Sequence, residues 1–170
     1  MNYAIIGCGL IGKKRVTGMT AGSQLVVACD TNTARAEELV KLAKTGRACT
    51  DFNDAVADPK VEVVFIATLN SMLAPIALAA VKHGKHVLVE KPAAIRTREL
   101  DEIEAAAKKT GALVRVGYNH RYHPAALKAV ELFQSGALGP MMFVRGRYGQ
   151  GGRIGYEKEW RADPKLSGGG

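Results

Sequence analysis

A glycine-rich turn near the amino terminus is the feature that most restricts how this chain can fold. Residues 7–12 read Gly-Cys-Gly-Leu-Ile-Gly, after an apolar run and before a helical pattern. In such a strand–turn–helix, the first glycine permits the tight turn, the second lets a diphosphate approach the backbone, and the third lets the helix pack closely on the strand. The helix N-terminus favours anions. We therefore predict a dinucleotide site formed by Gly7, Gly9, Leu10, Ile11 and Gly12.

Apolar, strand-like runs alternate with helical patterns over about the first 120 residues. Val61–Ala67 is a nearly continuous apolar run, which is typical of a strand buried on both faces. The other predicted strands are Tyr3–Ile6, Leu25–Cys29, Arg47–Cys49, His86–Val89 and Leu113–Val116. The predicted helices are Leu10–Ala21, one carrying Ala36, Leu39, Val40 and Ala43, a short one opened by Asp51, Ser71–Lys82, and one from an N-cap at Thr97 to Gly111. This alternation predicts an α/β fold, a doubly wound parallel Rossmann sheet.

The pattern changes character near residue 120. A helix over Tyr122–Gln134 and a strand over Met141–Tyr148 follow, separated by glycines and a proline. One helix and one strand are too few to bury a core of their own. We therefore predict a dinucleotide-binding domain over residues 1–120, and over residues 121–170 the first helix and strand of a truncated α+β second domain.

The residue that ends the second predicted strand indicates which dinucleotide binds. Asp30 stands there, and a carboxylate at this point accepts hydrogen bonds from the adenosine ribose and repels a 2′-phosphate. The sequence therefore predicts NAD as the cofactor. Arg35 follows within the next helical turn and leaves NADP as the alternative.

Composition sets limits on the other functions that this chain can have. Its 170 residues are 47% apolar, without an apolar run approaching the roughly 20 residues that span a bilayer. The formal net charge is +8, but the basic residues are dispersed. We therefore expect no membrane and no nucleic-acid partner, although the charge keeps a nucleic-acid-binding domain as a weaker reading. The three cysteines have no metal-site or disulfide spacing, so we predict a cytoplasmic protein without a metal.

A second motif lies after the predicted strand His86–Val89. Glu90, Lys91 and Pro92 follow that strand, and ligands of open α/β sheets bind where parallel strands end. Lys91 is therefore the candidate catalytic residue, because a lysine near a nicotinamide can orient a substrate hydroxyl or take part in its proton transfer. The alternative is a surface ion pair at the end of the strand. Pro92 is a candidate for a cis peptide bond.

Together these motifs resemble the Gfo/Idh/MocA oxidoreductase family. The resemblance covers the whole chain, and its most specific segments are Gly7–Gly12, Gly84–Pro92 and Gly117–Pro124. It implies hydride transfer between NAD or NADP and a hydroxyl-bearing carbon of a sugar, inositol or sugar derivative. It also implies a homo-oligomer at full length. Its implied cofactor and active-site residues, besides those above, are Glu90, Lys91, Asn70, Asn119, Trp160 and Arg161.

The chain departs from the family pattern at two places. Members that read Pro-Asn-x-x-His after the fourth strand have Leu69 and Leu73 here in place of the proline and the histidine. Members also continue from a glycine pair like residues 169–170 into a helix with a catalytic Asp and His, and this sequence stops before them. The alternative to the enzyme is thus a nucleotide-binding module or sensor without catalysis, and the fold does not separate the two.

Overall fold

The computed structural model describes residues 1–147, 149 and 154–168. Six parallel strands form one sheet in the order β3-β2-β1-β4-β5-β6. This is the strand order of a dinucleotide-binding Rossmann sheet, whose two halves meet where β1 and β4 lie side by side. The strands are β1 (Asn2–Ile6), β2 (Gln24–Cys29), β3 (Arg47–Cys49), β4 (Val63–Ile66), β5 (His86–Val89) and β6 (Val114–Val116).

Helices connect the strands and cover both faces of the sheet, as the alternation predicts. Short 3-10 turns occur at Asn119–Tyr122, Tyr156–Lys158 and Trp160–Ala162. The α-helices are α1 (Leu10–Thr17), α2 (Thr33–Ala43), α3 (Phe52–Ala57), α4 (Asn70–Lys82), α5 (Thr97–Thr110), α6 (Pro124–Gln134) and α7 (Pro164–Ser167). The predicted α/β class and doubly wound parallel Rossmann sheet are confirmed.

Alternate residues of the central strands enter two separate apolar cores. In β1, Tyr3 and Ile5 pack on one face with residues of α2, whereas Ala4 and Ile6 pack on the other face with residues of α3, α4 and α5. The Tyr3 and Phe65 rings meet edge to face, with 5.6 Å between centroids. Because both faces are buried, the strands contain few polar residues, and this explains why their positions are readable from the sequence.

Helix α4 begins at Asn70 instead of Ser71 and α6 at Pro124 instead of Tyr122. Two further helix boundaries differ from the predicted ones for visible local reasons. Helix α1 ends at Thr17 instead of Ala21, and the backbone N–H of Gly18 closes it on the carbonyl of Lys14. Helix α5 has Arg96 as its N-cap and Thr97 as its first residue. The Glu99 carboxylate accepts hydrogen bonds from the N–H of Ile95 (3.0 Å) and of Arg96 (2.9 Å), and so fixes the start of the helix.

The strand predicted over Met141–Tyr148 is not formed in the described part of that segment. Residues 141–147 have no strand pairing, and Tyr148 lies outside the described residues. A strand needs a neighbour to accept and donate its backbone hydrogen bonds. No such neighbour is available to this segment among the described residues, so the apolar alternation alone does not produce a strand.

Contacts divide the chain into two units. One contains Met1–Gly117 and the residues from Glu159 onward, and the other is Tyr118–Lys158. Helix α6 belongs to the second unit and has no buried residue. The assignment of residues 1–120 and 121–170 to two domains of a longer protein stays a prediction. In the described part of the chain, no helix has the length and apolarity needed to cross a membrane.

Candidate functional site

The glycine-rich turn connects β1 to α1 at the carboxyl edge, the edge of the sheet at which the parallel strands end. Gly7 has φ +96°, a backbone conformation that residues with a side chain rarely adopt. A Cβ at Gly7 would lie 2.4 Å from the carbonyl oxygen of Ala67, and a Cβ at Gly12 would lie 2.2 Å from that of Gly7. Gly7 and Gly12 are therefore required by the fold itself.

Gly9 lies in a different environment. A Cβ at Gly9 would meet no atom within 4 Å, so this glycine faces open space. Leu10 and Ile11 follow at the start of α1 and are 70% and 38% exposed. The backbone N–H of Lys13 makes the first bond of the helix, to Gly9 at 3.0 Å, so the N–H groups before it have no acceptor within the helix. The first turn of α1 carries no acidic residue, and these features fit a diphosphate.

Asp30 follows β2 and contacts the glycine-rich turn directly. One carboxylate oxygen accepts a hydrogen bond from the backbone N–H of Cys8 at 2.8 Å, and the other accepts one from Asn32 at 2.9 Å. The structure therefore brings Asp30 together with the predicted diphosphate residues. A carboxylate has about four acceptor sites, so acceptors remain for two ribose hydroxyls.

The Cys8 thiol belongs to the core beneath the turn. It is fully buried, and its Sγ lies 3.4 Å from the carbonyl oxygen of Cys29. Burial raises the pKa of the Cys8 thiol to about 12, with a smaller contribution from the Asp30 carboxylate. Burial likewise raises the pKa of Cys29, which pairs in register with Cys49 on the neighbouring strand. Cys8 is therefore a small apolar residue of the turn and not a nucleophile.

Glu90 and Lys91 follow β5 at the same edge. The N–H of Glu90 donates to the carbonyl of Ile66 (2.9 Å), which places Glu90 beside the end of β4. Lys91 is exposed and makes no hydrogen bond or ion pair with any described residue. Its peptide bond to Pro92 is cis, in agreement with the interpretation of the sequence. The ammonium group is thus accessible to a ligand at the strand ends.

Arg15 is a charged residue of this edge that the sequence analysis missed. Its Nε and Nη2 both donate to the Oε1 of Glu90, and the Nε distance is 3.1 Å. The Arg15 side chain is 24% exposed and that of Glu90 is 14% exposed. The predicted ion pair at the end of β5 thus exists, but Glu90 pairs with Arg15 and not with Lys91. The only local signal is a basic residue one helical turn after Gly12.

The remaining predicted residues lie in both units. Asn70 is the first residue of α4, and its side-chain amide donates to the carbonyl of Ser167 at 2.9 Å. The guanidinium of Arg161 lies over the ring of Trp160, 4.6 Å from its centroid. These residues belong to the first unit, whereas Asn119 is in a 3-10 turn of the second unit. Over the part of the chain that is described, no three His, Cys, Asp or Glu residues cluster as metal ligands.

Comparison with known proteins identifies the family of the chain. The family model of Gfo/Idh/MocA, described as an oxidoreductase family with an NAD-binding Rossmann fold, matches residues 1–118. Inositol 2-dehydrogenase of Salmonella paratyphi B is 32% identical over 153 residues, which cover 87% of this chain and 46% of that protein. Levoglucosan dehydrogenase of Pseudarthrobacter phenanthrenivorans is 30% identical and covers 96% of this chain and 43% of its own length.

A solved structure gives the same result for the fold. The NAD-binding oxidoreductase of Klebsiella pneumoniae superposes with a TM-score of 0.77 and 26% identity, over 100% of this chain and 48% of that chain. The present chain thus spans less than half the length of these relatives. The family match covers the sheet and the glycine-rich turn, and the chain therefore belongs to the Gfo/Idh/MocA oxidoreductase family, with residues 1–118 forming its NAD-binding Rossmann domain.

Proposed function

We propose that the whole protein transfers a hydride between a nicotinamide and a hydroxyl-bearing carbon of a sugar, inositol or sugar derivative. The observation that carries this proposal is the accessible Lys91 at the same sheet edge as the open glycine turn. The names of the relatives, inositol 2-dehydrogenase and levoglucosan dehydrogenase, support the substrate class. They favour an enzyme over the alternative of a module or sensor without catalysis.

The cofactor position follows from three groups along the edge. The adenosine ribose binds Asp30, and the diphosphate binds over Gly9 at the start of α1, together with the backbone of Leu10 and Ile11. The nicotinamide end then extends along the edge toward Glu90 and Lys91, across the point where β1 and β4 meet. Because the Asp30 carboxylate disfavours a 2′-phosphate, NAD is preferred over NADP.

Lys91 contacts the substrate in this proposal. When bound, the nicotinamide supplies the hydride chemistry, and the protein contributes binding, orientation and electrostatics. The three N–H donors of the Lys91 ammonium orient the reacting hydroxyl and take part in moving its proton. Asn70, Asn119, Trp160 and Arg161 are proposed to lie near the cofactor, and the Asn70 bond to Ser167 supports this for the segment that carries Trp160.

The compartment, the partners and the oligomeric state of the protein are also proposals. Three thiols without disulfides are typical of a reducing compartment, so we place the protein in the cytoplasm. The dispersed positive charge attracts an anionic dinucleotide. We expect neither nucleic acid nor a membrane as a partner. A homo-oligomer is expected of the protein at the length of its relatives.

The decisive experiment separates binding from turnover. The 170-residue chain is titrated with NADH by fluorescence, and NAD reduction is screened with inositols and sugars. We expect NADH binding without turnover from this chain, and turnover from a form extended to the length of its relatives. Failure of the chain to bind NADH contradicts the proposed cofactor site. Binding without turnover by the extended form favours the non-catalytic module.

A further inference from the structure

We infer that Arg15 is a positioning residue for the nicotinamide end of the cofactor, acting through its ion pair with Glu90. The inference rests on the proposed function, because it assigns a task to one residue of the same site. Arg15 lies on α1, the helix whose N-terminus holds the diphosphate, and Glu90 directly precedes Lys91. The pair therefore links the two places between which the cofactor extends.

The geometry of the pair suits a fixed link. Both Nε and Nη2 of Arg15 donate to one oxygen of Glu90, so the guanidinium is held in one orientation. The two side chains are 24% and 14% exposed, which limits screening by solvent. The ion pairs Lys13–Glu38, Arg47–Asp58 and Arg161–Glu159 each have at least one side chain that is 36% exposed or more. The Arg15–Glu90 pair joins residues 75 positions apart.

A third segment closes around the pair. Gly117 follows β6, and its N–H donates to the carbonyl of Val89 at 2.8 Å. A Cβ at Gly117 would lie 3.1 Å from Arg15 Nη2 and 3.1 Å from Glu90 Oε2. Arg15 and Glu90 are thus in contact with the backbone on a third side, and the room for them to move is small.

The consequence concerns the position of Lys91. Glu90 is bonded through its backbone N–H to Ile66 and through its side chain to Arg15, so the residue after it has a fixed starting point. Loss of Arg15 leaves a largely buried carboxylate without its counter-charge, and such a group moves or gains water. The backbone at Glu90 and Lys91 then shifts relative to α1, and the nicotinamide end loses its place while the diphosphate keeps its own.

The test compares two probes that differ only in the nicotinamide. NADH and ADP-ribose are titrated into the 170-residue chain and into its Arg15→Met variant. We expect the variant to bind NADH at least about tenfold more weakly, because the contacts of the nicotinamide end are lost, and tenfold in affinity corresponds to about 1.4 kcal/mol. We expect its affinity for ADP-ribose to stay within about threefold, since Asp30 and Gly9 are untouched. Arg15→Lys restores part of the NADH affinity, because it keeps the charge.

Matched variants distinguish positioning from a general loss of stability. Arg47→Met removes an arginine–carboxylate pair, with Asp58 at 3.1 Å, near the opposite edge of the sheet and leaves both affinities unchanged. Gly117→Ala forces the Arg15–Glu90 pair to move without removing a charge. We expect this variant to bind NADH more weakly and to bind ADP-ribose with unchanged affinity. It serves in place of Arg15→Met should that variant fail to fold. The double variant Arg15→Met, Glu90→Met is expected to bind NADH no more weakly than the weaker-binding of the two single variants, because both substitutions break the same pair.

The inference is overturned if Arg15→Met lowers the affinities for NADH and ADP-ribose equally, or if it lowers neither. Equal weakening together with a lower melting temperature identifies Arg15 as a structural residue only. A parent chain that binds neither probe contradicts the proposed cofactor site, and the inference falls with it. If the parent chain and the Arg15→Met variant bind NADH and ADP-ribose with the same affinities, the inference is contradicted but the proposed cofactor site is not.

Discussion

The carboxylate of Asp30 accepts a hydrogen bond from the backbone amide of Cys8 at 2.8 Å, which ties the end of β2 to the glycine-rich turn after β1. The same carboxylate accepts a second bond from Asn32 at 2.9 Å, at the start of α2. Asp30 thus holds the glycine-rich turn in place. In the proposed site its remaining acceptors are available to the ribose, so one residue connects the proposed diphosphate and ribose positions.

The first prediction is that the chain prefers NAD to NADP and depends on Asp30 for this. Asp30→Ala weakens NAD binding by about 1–3 kcal/mol, as expected for a charge-assisted hydrogen bond and the loosened turn. Calorimetric titration with each dinucleotide measures the effect. Asp51→Ala is the matched control, because the Asp51 carboxylate likewise accepts a hydrogen bond from the backbone N–H two residues on, at 2.9 Å, and is not among the proposed site residues. Equal or tighter binding of NADP by the unmodified chain contradicts the prediction.

The second prediction contrasts two glycines of the same turn. Gly12→Ala brings a Cβ to within 2.2 Å of a backbone oxygen, so the turn must distort. We expect a loss of about 1–3 kcal/mol of folding free energy, which lowers the melting temperature by about 2–4 °C per kcal/mol. Gly9→Ala meets open space, and Gly9 has φ −73°, which alanine adopts without strain.

Gly9→Ala therefore keeps the melting temperature and loses affinity for NADH, because the methyl group occupies the space of the diphosphate. Thermal unfolding followed by circular dichroism and NADH titration are measured on both variants. A Gly9→Ala variant with unchanged NADH affinity shows that the diphosphate does not bind over this glycine. A Gly12→Ala variant with unchanged stability contradicts the packing argument.

The central sheet was predictable from the sequence for a physical reason. The strands from Tyr3, Leu25 and His86 end at the predicted residues because each apolar run is followed at once by a glycine or a carboxylate, namely Gly7, Asp30 and Glu90. The run Val61–Ala67 has no such limits, and the strand within it is shorter, Val63–Ile66. The strand predicted over Met141–Tyr148 was wrong over its described residues, since alternation does not reveal whether a pairing strand exists. A local apolar pattern indicates which residues are buried, but it does not indicate which strand they pair with.

The site was predictable only in part. The turn at Gly7 and Asp30 carries a local signature whose spacing reflects backbone requirements. The Arg15–Glu90 pair carries none, because its members lie 75 residues apart in the chain and meet only in the folded protein. The bond from Asn70 to Ser167 spans 97 residues and is hidden for the same reason.

The third prediction concerns the buried thiols. Burial raises the pKa of Cys8 to about 12 and raises that of Cys29, so both stay protonated in the folded protein at neutral pH. Their contribution to stability is complete below the thiol pKa of the unfolded chain, near 9.0, and is lost as the pH rises above it. Each thiol then lowers the unfolding free energy by up to about 1.4 kcal/mol per pH unit.

Two measurements check this behaviour. Urea unfolding between pH 7 and 10 should show falling stability above about pH 9, and Cys8→Ser or Cys29→Ala should reduce the slope. Titration with a thiol-specific disulfide reagent in native buffer should modify Cys49, which is half-buried, before the other two. Rapid modification of all three thiols without denaturant contradicts the assignment of Cys8 and Cys29 to the core.

The last prediction assigns catalysis to Lys91. In a form of the protein extended to the length of its relatives, Lys91→Ala lowers turnover by about 10²–10⁴-fold, the usual contribution of a group that assists proton transfer. NAD binding stays within about threefold, because the diphosphate and ribose contacts lie at Gly9 and Asp30. The measurements are kcat with an accepted inositol or sugar and the calorimetric Kd for NAD.

The control is Lys82→Ala, which removes an exposed lysine from the end of α4 at the other edge of the sheet and leaves turnover unchanged. Lys91→Arg separates charge from proton transfer: it keeps a cation at the strand end, but a guanidinium does not release its proton. Recovery of turnover in Lys91→Arg assigns Lys91 to orientation of the hydroxyl. Near-normal turnover in Lys91→Ala makes the lysine a surface residue that follows β5 without a part in the reaction.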